Sequence, residues 1–109
     1  MKLYIKGKRN STNAIAEYDV INGKFVVLKG SVVSNTIAHS STFRGAKSIE
    51  KQRANGNVID GVVDKDVVFK SPSTAANFVT GASTNGLIAW KNEKGTSLKE
   101  LLKKDGHDE

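Results

Sequence analysis

Three carboxylates, Asp60, Asp64 and Asp66, fall within seven positions, a density that could hold a divalent cation. The order of acids, glycine and closing glutamate that builds a calcium loop is missing. No Asp-x-Lys or Glu-x-Lys tripeptide occurs anywhere in the chain, so a common metal-dependent nuclease signature is missing too. The group reads as the solvated end of a hairpin, where turns collect aspartate. His39 and His107 have no metal-ligand spacing, either with each other or with carboxylates. No serine lies in a Gly-x-Ser-x-Gly elbow. Gly81-Ala82-Ser83-Thr84-Asn85-Gly86 lacks the Gly-Lys-Ser/Thr ending of a phosphate loop and follows a helix instead of opening one. With no cysteine, disulfides, thiolate zinc sites and cysteine nucleophiles are excluded. No catalytic constellation emerges, and the expectation is a non-enzymatic protein with no cofactor and no metal.

Binding chemistry is better represented. The formal charge is +6, and its distribution is lopsided. Residues 1–57 hold ten Lys/Arg against three Asp/Glu, whereas residues 58–109 hold seven against eight. Such asymmetry can mark a side that faces a polyanion, although it also suits a merely solubilising surface. Arg44, Lys47 and Lys51 stand at i, i+3 and i+7, one stripe of a helix, with Arg53 farther round. That stripe could follow phosphates through charge-assisted hydrogen bonds, or be an ordinary solvated face. Trp90 could stack on a base, but a lone tryptophan beside short strands more often anchors a core.

These residues need a framework, and 109 residues with 38% apolar and 26% charged content suffice for one core. Alternation in Lys2–Lys6 predicts a strand, and Asn13–Val20 a second with Ala14, Ala16, Tyr18 and Val20 on one side. Asn22-Gly23 predicts the hairpin into a third strand, Phe25–Leu28. A fourth begins at Ser31-Val32-Val33. Phe43, Ala46 and Ile49 predict a helix over 42–54, stopped by Asn55-Gly56. Short strands are expected over 58–63 and 67–69. Ser71-Pro72 opens a helix that ends at Gly81. Leu87–Trp90 reads as a short strand and Asn92–Gly95 as a turn. Ser97 with Glu100 caps a last helix, and 105–109 reads as a disordered tail. The expected fold is α+β: a small, mostly antiparallel meander sheet with two or three short helices on one face, a single domain over 1–104. Its opening residues are too soon charged for a signal peptide and its apolar runs too short for a membrane span, so a cytoplasmic location is expected.

Phe69-Lys70-Ser71-Pro72-Ser73-Thr74-Ala75-Ala76, Gly81, Asn85-Gly86, Trp90-Lys91 and Gly95-Thr96-Ser97-Leu98 also form a linked set of anchors over residues 67–102. The set resembles an uncharacterised bacterial domain commonly attached C-terminal to GIY-YIG nuclease domains. It is similar as well to the RAMA domain of restriction and adenine-methylase systems. The family pattern has Asp where Lys94 stands, and an aromatic where Leu87 stands. Phe25–Ser31 looks like the upstream part of such domains, and no GIY-YIG motif is present. The resemblance implies an accessory module that binds DNA in a restriction, modification or mobile-element setting. The alternative it implies is an assembly module docking on a separate nuclease or methylase. It adds Ser71, Ser73, Asn85 and Lys91 to Arg44, Lys47, Lys51 and Arg53 as candidate nucleic-acid contacts, because a Ser-Pro-Ser helix start offers amides and hydroxyls to a phosphate. The same residues would equally serve as a capped helix needed for folding alone. Oligomeric state is left open.

Overall fold

The computed structural model describes residues 1–7, 12–34, 46–82 and 84–104, with the side chains of 46–48, 55 and 104 excepted. His39, Arg44, His107, the Lys47 side chain and the 105–109 tail lie outside the described residues. No helix there is long and apolar enough to cross a membrane.

Strands β1 (Lys2–Lys6), β2 (Asn13–Asp19) and β3 (Lys24–Val27) form an antiparallel meander, and β6 (Val67–Phe69) closes it in the order β1-β2-β3-β6. The β2–β3 turn is built by two local devices. Gly23 adopts φ 68°, the left-handed geometry that an Asn-Gly hairpin needs. Asp19 accepts both the backbone N–H and the side-chain amide of Asn22, at 3.2 and 2.6 Å. Those two bonds, side chain first, hold the Asp19 carboxyl below the usual aspartate range.

Register decides which residues meet. Phe25 faces Phe69 and Val27 faces Val67, while Leu3 faces Ala16 and Ile5 faces Ala14. One sheet face thereby gathers Leu3, Ile5, Ala14, Ala16, Phe25, Val27 and Phe69, all buried. Helix α2 (Pro72–Thr80) lays Ala75, Ala76, Phe78 and Val79 against this face, and Trp90 and Leu98 complete the core. The Phe25 ring lies 5.2 Å from Tyr18 and 5.0 Å from Trp90, centroid to centroid, and Phe69 lies 5.1 Å from Phe78. Trp90 is thus a core residue, fully buried.

The α+β expectation stands, with a second sheet: β4 (Val58–Ile59) pairs with β5 (Val62–Val63). Val32 joins the two sheets through bridges to Asn13 and Val62, so the segment expected as a fourth strand is a connector. Helix α1 (Ala46–Gln52) widens into a π turn, Arg53–Asn57, in which Gly56 takes the left-handed φ, 80°, expected of the stop, and Asn57 Nδ2 donates to Gln52 O at 2.6 Å. One further local reading is corrected. Leu87–Trp90 is not a strand. Gly86–Ala89 is a one-turn helix, α3, capped by the Asn85 side chain, which accepts from Leu87 N at 3.0 Å. The chain ends its described part in α4 (Leu98–Lys104), where Ser97 Oγ accepts from Glu100 N at 3.4 Å.

Candidate nucleic-acid interface

Arg53 is half-buried, and its guanidinium reaches back into the fold. Nε and Nη2 donate to Phe78 O at 3.1 and 2.6 Å, and Nη1 donates to Ser34 O at 3.1 Å. Phe78 is in the last turn of α2, whose carbonyls lack intrahelical partners and carry the negative end of the helix dipole. Arg53 therefore caps α2 from another element, with its guanidinium carbon 5.9 Å from the Phe78 ring centroid. Burial pulls its pKa below the ordinary arginine value. A group so engaged has little left to offer a phosphate.

The Ser-Pro-Ser start is also internally occupied. Ser71 Oγ accepts from Thr74 N at 3.1 Å as the N-cap of α2, a contribution of about 1 kcal/mol. Ser73 Oγ accepts from Gly86 N at 3.0 Å. Pro72 O accepts the Trp90 indole N–H at 2.9 Å. A Cβ on Gly86 would sit 2.3 to 2.4 Å from backbone atoms of Pro72 and Ser73, so only glycine allows α3 to lie on the start of α2. Ser73 and the Trp90–Pro72 bond thus latch α3 to α2, while Ser71 and Asn85 each cap the start of their own helix. Lys51 stays exposed on α1.

Lys91 belongs to a different grouping, which the sequence reading missed. Its backbone exchanges two hydrogen bonds with Tyr4, N to O at 3.0 Å and O to N at 2.7 Å. That antiparallel bridge extends the sheet beyond β1 and puts the two side chains on the same face, directly opposite each other. Lys2 and Lys6 share that face by strand parity. Lys6 Nζ lies 5.7 Å from the Tyr4 ring centroid, an exposed cation–π contact of about 0.5–1 kcal/mol. A cleft of about 550 Å³ opens here, lined by Tyr4, Ile5, Lys6, Ala89, Lys91, Asn92, Glu93 and Gly95. A second, of about 300 Å³, shares Tyr4, Asn92 and Glu93 and continues to Lys2. Asn92 fixes the turn between them, its Oδ1 accepting from Lys94 N at 3.0 Å and Thr96 N at 2.9 Å. The alternation in Lys2–Lys6 was legible, but nothing local announces that residue 91 docks beside residue 4.

Farther across the same sheet face lie Ile15, Val26 and Val68, the last 55% exposed. The carboxylates on this face already have partners: Glu17 pairs with the Met1 amino group at 3.6 Å, and Asp19 holds Asn22. Of the aspartate group, Asp66 caps the backbone of Lys29 at 2.8 Å. Among the described residues no three His, Asp or Glu side chains gather around a point that could hold a metal.

Residues 3–102 match the family described as a domain of unknown function, DUF4357. The chain belongs to that family. Neither the curated proteins nor the solved structures yield a match to this DUF4357 domain. The match runs from β1 into α4, so it takes in both the latch and the Tyr4–Lys91 bridge.

Proposed function

We propose that this DUF4357 domain is a non-enzymatic nucleic-acid-binding accessory module, acting on DNA in a restriction, modification or mobile-element setting. The setting rests on the resemblance to GIY-YIG-linked and RAMA domains. The binding role is supported by one observation above the rest: Lys2, Lys6 and Lys91 share a sheet face with Tyr4, on which the strand carboxylates Glu17 and Asp19 have other partners. Cations on an aromatic-bearing sheet face are the equipment with which nucleic-acid modules follow a backbone. The exposed Lys51 of α1, with Arg44 and Lys47, remains a second candidate stripe.

Binding of labelled single-stranded and duplex DNA across a salt series tests the reading. Affinity should fall as salt rises, with a log–log slope set by the phosphates neutralised, roughly 0.7 to 0.9 per contact. Changing Lys2, Lys6 and Lys91 to glutamine should flatten that slope by roughly 2 to 3. No binding at low salt, or binding indifferent to salt, would refute it.

The exposure of Val68 at 55% on the same sheet face favours a second reading, docking on a nuclease, methylase or identical subunit. Val68→Gln should then abolish partner capture or self-association in sedimentation while leaving the salt slope intact.

A further inference from the structure

We infer that the cleft between β1 and the Asn92–Gly95 turn is a seat for one unstacked nucleobase of a single-stranded nucleic acid. The inference rests on the nucleic-acid reading and gives it an address. Tyr4 supplies the stacking surface, since it lines both cavities and every base has a π-face to offer. The larger cavity, about 550 Å³, is within the range of small-ligand sites. Its backbone is pinned on two sides, by the Tyr4–Lys91 bridge and by the Asn92 turn, so it is held open without a ligand.

Charge around the ring has the order a nucleotide requires. Lys2 and Lys6 are two residues to either side of Tyr4, roughly 6.5 Å along the strand in each direction. Lys91 stands opposite. A base on Tyr4 would have its flanking phosphates within reach of these three ammonium groups. The Lys6 ammonium now beside the ring is on a flexible stem, and an entering base would displace it toward the phosphate.

Among the described residues Glu93 is the one carboxylate lining both cavities, and it repels phosphate. A carboxylate at this rim can accept from the exocyclic amino group of a seated base, such as N4 of cytosine. The seat therefore takes a single-stranded base carrying an amino group, cytosine before thymine. A duplex does not qualify, because its bases are stacked and cannot reach the tyrosine ring.

The test uses fluorescent oligodeoxycytidylate and oligodeoxythymidylate, with oligoribocytidylate to separate DNA from RNA, against the whole chain and three variants. Tyr4→Leu should weaken oligodeoxycytidylate binding about tenfold while leaving the salt slope in place. Tyr4→Phe, which keeps the ring, should restore it. Glu93→Gln should erase the preference for cytidylate over thymidylate. In the unmodified chain, backbone NMR signals of Lys91, Asn92 and Gly95 should move on oligonucleotide addition. Salt-dependent binding indifferent to Tyr4→Leu, with those signals still, would overturn the seat and leave the broader reading standing. Failure of every oligonucleotide and of duplex DNA to bind at low salt would overturn both.

Discussion

The indole N–H of Trp90 donates to the carbonyl of Pro72 at 2.9 Å, across eighteen positions of sequence, and that bond lies at the centre of the α2–α3 latch. It satisfies a polar atom on a fully buried side chain and fixes the ring against Phe25, 5.0 Å away. The carbonyl of Pro72 crowds Gly86 as well, so one peptide group positions the cap, the short helix and the tryptophan.

The latch is expected to be intolerant. Gly86→Ala would place a methyl group 2.3 Å from the Pro72 carbonyl carbon, and the neighbour is backbone that cannot step aside. Destabilisation of about 3 kcal/mol is expected, at the upper end for overpacking. Trp90→Phe, which removes the bond to the Pro72 carbonyl and leaves part of the buried indole's space empty, should cost about 1–3 kcal/mol. Urea denaturation of both variants measures this, and near-wild-type midpoints would count against the latch.

Arg53 is expected to behave as a structural cap. Arg53→Lys keeps the charge but cannot span Phe78 O and Ser34 O together, so stability should drop by about 2 kcal/mol. The salt slope of nucleic-acid binding should stay put. A variant of full stability with a shallower slope would return Arg53 to the interface.

Asp19 makes the β2–β3 turn sensitive to acid. Its folded pKa is depressed, so its contribution is present above the unfolded value and is lost as pH falls through the folded one. The carboxyl carbon signal of Asp19 should titrate below about 3.9, the usual aspartate value, and Asn22→Ala should move it up. An unshifted titration would show that the turn bonds do not persist in solution.

How much of this was legible beforehand follows from the range of the forces. The alternation in Lys2–Lys6 and Asn13–Val20, the Asn22-Gly23 turn and the Ser71-Pro72 cap are local signals, and each element stands where they place it, the second strand ending one residue sooner, at Asp19. The strand expected over Leu87–Trp90 failed because the four-residue helix Gly86–Ala89 has no period to read, and its geometry is imposed by Gly86 lying against Pro72. Arg53 looked like a surface cation because its acceptors come from Ser34 and Phe78, nineteen and twenty-five positions away. The Tyr4 cleft was hidden for the same reason, being made by a pairing of the first strand with residue 91.

That pairing bears on how the protein is made. During synthesis, β1 emerges from the ribosome with one flank bare, and the segment that shields it follows more than eighty residues later. An unshielded strand flank recruits other chains. Lysines at positions 2 and 6 would keep nascent copies apart until the late segment arrives.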